Sequence, residues 1–120
     1  MKLTEGLYSI EKETTQGYII LLNKKHFIYQ AHFPSEPITP GVCLISIALE
    51  LLERYEDKRL KISSLDNIKF INIVSPEENS TIEFYINEIK NENNILKAKI
   101  EIRSTDKTFA KLAFTTTEAL

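Results

Sequence analysis

The chain has 120 residues, 42% hydrophobic and 27% charged, with a formal net charge of −2 and a pI near 5.7. That length buries one core, so residues 1–120 are expected to form a single domain, and the slightly acidic balance excludes a nucleic-acid binder built on a basic stripe. One cysteine allows no internal disulfide, and no stretch reads as a secretory signal, a metal cluster or the ~20 apolar residues of a bilayer span. A cytoplasmic protein without metal or cofactor is expected.

Residues 7–14 alternate weakly and predict a first strand, closed by a turn at Gly17. Residues 17–22 (GYIILL) are β-rich and read as a buried strand; residues 23–25 break it. Residues 26–31 then lead, as a short irregular or extended piece, into His32.

From His32 to Glu50 the sequence reads HFPSEPITPGVCLISIALE, with three of the four prolines, one of the three glycines, one of the two histidines and the only cysteine. Each proline fixes its own φ and drives the preceding residue towards extended backbone. Residues 32–39 are therefore expected to form a stiff arm, and no helix can begin before Pro40. Thr39 is a candidate N-cap, with Pro40 at the first helical position, where its missing N–H costs nothing. Gly41 and Val42 would then offer free amides at the positive end of the helix dipole. The helix over residues 40–56 is apolar nearly all round (Val42, Leu44, Ile45, Ile47, Ala48, Leu49, Leu51, Leu52) and should be buried on most sides until it turns polar at Glu53.

Further strands are predicted over residues 59–74 and 81–90. Asn91-Glu92-Asn93-Asn94 is a hairpin turn, because Asn tolerates positive φ. Leu96, Ala98, Ile100 and Ile102 then alternate with Lys97, Lys99, Glu101 and Arg103, residues 104–107 turn, and residues 109–117 form a last strand. One buried helix followed by antiparallel strands, each with a polar face, predicts an α+β fold in which a sheet wraps around one long central helix.

HFPSEPITPGV resembles, without a gap, the H-F-P-G-x-P-x-x-P-G-V signature of the β-hydroxyacyl-acyl-carrier-protein dehydratases, a hot-dog-fold family. Lys69-Phe70 and Ile73-Val74-Ser75-Pro76 are similar to that family's K-F-x-x-P-V-x-P-G-D strand. The resemblance implies a hot-dog domain and a dimer, homotypic or with a related hot-dog subunit, whose sheets join edge to edge. It also implies a site at the subunit interface, where the histidine of one chain faces an acid of the other. The implied reaction is dehydration of 3-hydroxyacyl thioesters, carried on the phosphopantetheine of an acyl carrier protein, in fatty-acid or polyene/polyketide-type synthesis. One position departs from the pattern: the general acid expected fourteen residues after the histidine is Ser46, and Glu50 stands where the family usually has Gln.

Such a dehydration needs a base for the α-proton, a donor to the thioester carbonyl and an acid for the departing hydroxyl. By the resemblance, His32 is the base and the Gly41 amide the carbonyl donor, while Phe33, Pro40, Val42 and Phe70 line an acyl slot. Ser46 and Glu50 are i and i+4 on the face that carries Val42, about 6 Å apart along the axis. The acid role falls to Glu50 or to a water held by Ser46. Two rival readings are a weak or inactive subunit that pairs with an active homologue, and a hot-dog thioesterase in which Glu50 activates water. Lys24, Lys25, Lys58, Arg59 and Lys61 form either a patch for an acidic carrier or ordinary solvated surface. His26 is expected to be structural or exposed, and the tyrosines and most phenylalanines to pack.

Overall fold

The computed structural model describes residues 2–120. The elements run β1 (Tyr8–Thr14), β2 (Gly17–Leu22), α1 (Ile28–Ala31), α2 (Gly41–Glu56), β3 (Leu60–Phe70), β4 (Thr81–Glu92), β5 (Ile95–Arg103) and β6 (Thr108–Glu118). The strands make one antiparallel sheet in the order β1-β2-β4-β5-β6-β3, with α2 packed against one of its faces. This is the hot-dog arrangement expected from the sequence. None of its described helices is long and apolar enough to cross a membrane.

The alternation in β5 sets its faces: Leu96, Ala98, Ile100 and Ile102 are buried, while Lys97 and Lys99 are exposed. They meet Phe84, Phe109, Leu112 and Phe114 of the neighbouring strands, and Leu44, Ile47, Ala48 and Leu51 of α2, in one core. Each of the large side chains contributes about 1.5–3 kcal/mol by leaving water. Asn93 and Asn94 both have positive φ, so the β4–β5 hairpin turns on these two residues.

Four local expectations are corrected. Residues 28–31 form a short helix, because the Tyr29 and Gln30 amides donate turn bonds to the carbonyls of His26 and Phe27 and the His32 amide donates to the Ile28 carbonyl. Pro40, not Thr39, is the N-cap of α2, and no side chain caps it. The Thr39 hydroxyl is instead 2.8 Å from the buried Tyr29 hydroxyl. The predicted strand over residues 59–74 ends at Phe70, and residues 71–74 are irregular. Finally, α2 is open along one side: Val42 is 59% exposed, and Ser46 and Glu50 are only partly covered. The helix emerges into solvent at its last turn, where Arg54 and Tyr55 are exposed, and ends at the left-handed Asp57, while the Glu53 carboxylate accepts the Leu60 amide at 2.8 Å.

Candidate active site

The arm that carries His32 is held by its backbone. The His32 amide donates to the Ile28 carbonyl at 2.9 Å, its carbonyl accepts from Ile38 at 2.7 Å, and Phe33 and Glu36 exchange reciprocal bonds at 3.1 Å. The Thr39 amide donates to the Val74 carbonyl at 2.8 Å, which ties the arm to the second matching segment. The His32–Phe33 peptide is cis. The imidazole is exposed, in tilted contact with the Phe33 ring at 5.3 Å.

At the start of α2 the amides of Gly41 and Val42 make no backbone hydrogen bond among the described residues, whereas those of Cys43 and Leu44 both reach the Pro40 carbonyl. Phe70 lies directly over Gly41: a Cβ there would fall 2.6 Å from its ring. A side chain at Gly41 would therefore displace the Phe70 ring. Phe33, Val42, Phe70, Ile71 and Ile73 are all exposed around this point. In the single chain the His32 imidazole and Val42, at the start of α2, are both exposed.

Glu50 is engaged elsewhere. The Tyr8 hydroxyl donates to its Oε1 at 2.8 Å and the Thr4 hydroxyl to its Oε2. Burial, reinforced by the bond to Glu50, pushes the Tyr8 phenol well above its usual range. Ser46 lies one turn nearer the helix start, partly covered. No motif announces this cluster; its members are 42 and 46 residues apart in sequence.

The remaining candidates are packing groups. His26 is buried, accepts the Ile28 amide on Nδ1 at 3.1 Å and so directs Nε2–H to the Glu5 carbonyl at 2.9 Å. Burial pushes the Cys43 thiol up, as it does the Tyr29 phenol. The five basic residues do not converge. Lys24 and Lys25 border a groove with Tyr8 and Leu21, while Lys58 and Arg59 border another at the far end of α2. No group of three or more potential metal ligands occurs among the described residues.

With this geometry in view, the chain matches the ApeI-like family, described as ApeI dehydratase, over residues 9–113. It is 30% identical over 95 residues to the 3-hydroxyacyl-acyl-carrier-protein dehydratase FabZ of Lactobacillus helveticus, an alignment covering 73% of this chain and 62% of that protein. The chain thus spans less than two thirds of that relative's length. A subunit of the dehydratase heterocomplex ApeI:P from Xenorhabdus doucetiae superposes with a TM-score of 0.66 at 20% identity, over 91% of this chain and 94% of that one. A hypothetical thioesterase of Streptococcus pneumoniae, solved with coenzyme A, superposes with a TM-score of 0.62 at 12% identity, over 93% and 85% of the two chains. At such identities the two structures speak for the fold alone.

Proposed function

The chain belongs to the ApeI-like dehydratase family, and from that premise we propose that it acts as a subunit of a dehydratase of 3-hydroxyacyl thioesters. The substrate is carried on the phosphopantetheine of an acyl carrier protein, in fatty-acid or polyene/polyketide-type synthesis. The observation that carries the reading is the start of α2, where the Gly41 and Val42 amides take no backbone partner beside Phe70 and the arm that begins at His32 leads directly into the helix. His32 removes the α-proton, and the Gly41 amide donates to the thioester oxygen as enolate character develops, aided by the helix dipole. Loss of the β-hydroxyl as water, with a proton from an acid, leaves the 2-enoyl thioester.

A second hot-dog subunit completes this site. The β3 edge is unpaired in the single chain, and Leu65, Phe70, Ile71 and Ile73 are exposed on and beyond it. Apolar side chains around an open strand edge favour association with another sheet. Val42, Phe33 and Pro40 would be covered with them and turned from open surface into the wall of an acyl slot.

The acid decides between two forms of the reading. Both Glu50 oxygens already accept hydroxyl hydrogens, and Ser46 carries no ionisable group. Within a homodimer, a water on Ser46 or a released Glu50 must protonate the departing hydroxyl. The same observation favours a second form, in which this subunit is weak alone and pairs with an acid-bearing homologue. A thioesterase is less favoured, because Glu50 is held on the N-terminal segment, away from the start of α2. Purified protein given a 3-hydroxybutyryl carrier thioester should yield the enoyl product by mass spectrometry, and His32→Ala should abolish it. Release of free carrier thiol without enoyl product would reject dehydration and select hydrolysis.

A further inference from the structure

On the face of the sheet opposite α2, three lysines border one groove of about 200 Å³ together with Asn67 and Asn87. Lys69 of β3 and Lys111 of β6 are direct cross-strand partners. Like charges placed opposite one another on a sheet destabilise it. Neither has a carboxylate within ion-pair distance among the described residues. The acid that faces Lys111 from β5 is Glu101, but its carboxylate accepts the Thr108 hydroxyl at 3.1 Å and lies 4.0 Å from Arg103 Nη1. The third lysine, Lys99, is 3.7 Å from Glu88, which is also 4.0 Å from Lys90. Asp66, next to Asn67 in sequence, accepts from the Thr115 and Ser64 hydroxyls.

Two irregularities of the sheet bound the same groove. The β4–β5 register slips between Ile86 and Glu88, leaving Asn87 without a partner on β5. The β3–β6 register slips between Leu65 and Asn67, leaving Asp66 as the extra residue. Such bulges re-aim side chains and concentrate beside functional sites. Here they set two amide groups next to three ammonium groups.

We propose that this groove binds a phosphate group, and that the phosphate is the one on the pantetheine arm of the substrate. The cluster is a single compact spot, which suits one multiply charged oxyanion and not an extended polyanion. The identity of the ligand rests on the dehydratase reading. Successive strand residues point to opposite faces, so Lys69 is outward where Phe70 is inward over Gly41. β3 ends at Phe70. An arm anchored by its phosphate at Lys69 and Lys111 rounds the end of that strand and delivers its thioester to the start of α2.

The test is binding, measured apart from turnover. Calorimetry on the intact chain should show phosphopantetheine binding about tenfold more tightly than pantetheine, from one or two charge-assisted hydrogen bonds. The variant Lys69→Gln/Lys111→Gln should bind the two alike, and because it removes a repulsion it should melt no lower than the parent. Coenzyme A and the holo carrier should lose affinity in parallel. Equal binding of phosphopantetheine and pantetheine by the parent chain overturns the proposal, as does a variant that weakens the carrier but not coenzyme A. A phosphate preference accompanied by release of free carrier thiol without enoyl product would keep this site and reject the dehydratase reading, so the two fail separately.

Discussion

Tyr8, at the first residue of β1, donates its phenolic hydrogen to Glu50, in the middle of α2, at 2.8 Å. With Thr4 on the other carboxylate oxygen, the pair fastens the N-terminal segment across the helix. Removing one partner leaves a half-buried carboxylate short of a donor. Tyr8→Phe should cost about 1–3 kcal/mol, typical of a hydrogen bond to a charged group, in urea unfolding. An unchanged midpoint would show that Thr4 alone suffices.

The same phenol gives the fold an alkaline limit. Tyr8 is shifted up from 10.0, and burial shifts Tyr18 and Tyr29 in the same direction. A phenol that holds its proton more tightly when folded stabilises fully below pH 10 and loses that contribution as pH rises through the shifted value. Melting temperature should therefore be flat to about pH 10 and then fall. Tyr8→Phe should make the fall shallower; an identical slope would assign the effect to Tyr18 and Tyr29.

Restoring the acid at position 46 is the direct test of the site's gap. A general acid is worth ~10²–10⁴ in rate. Ser46→Glu should raise kcat of the purified chain by a factor within that range, while Glu50→Gln changes it little. A flat response to Ser46→Glu, with loss on Glu50→Gln, would make Glu50 the working acid.

The contact between Gly41 and Phe70 can be measured as a coupling. Gly41→Ala puts a methyl group 2.6 Å from the ring, so the ring must swing away. Because Phe70 is half exposed and its ring can turn outward, the single variant should lose about 1 kcal/mol or less, and Gly41→Ala/Phe70→Ala should lose less than the sum of its parts. Additive losses would mean that the ring moves freely and guards nothing.

The edge strand predicts association. Leu65 and Ile73 are 53% and 62% exposed. Light scattering should find the chain as a dimer and Leu65→Lys/Ile73→Lys as a monomer. A parent chain that stays monomeric until it is coexpressed with an acid-bearing hot-dog homologue would select the heterotypic form.

Much of this fold is legible in the sequence wherever pattern and chemistry agree. The proline-glycine step at 40–41 marks the start of α2 because nothing else can precede it. The β5 alternation survives because one face must be dry. The four-residue α1 has no periodicity to read, and Thr39 answers Tyr29 through a buried contact instead of capping its helix. The grip of Tyr8 on Glu50 joins residues whose types are ordinary and whose separation is long. The uncovered side of α2 looked like core in the sequence because apolar residues do not say whether their own chain or another will cover them.

The sheet order carries a consequence for how the molecule comes together. β3 directly follows the helix, yet among the described residues its only partner is β6, with Leu60 opposite Glu118. Emerging from the ribosome, β3 must wait for three later strands before it can pair, with Phe70 and the apolar side of α2 in water meanwhile. Loop closure over such separations is slow, so nascent chains cut short before β6 should be clients of holding chaperones.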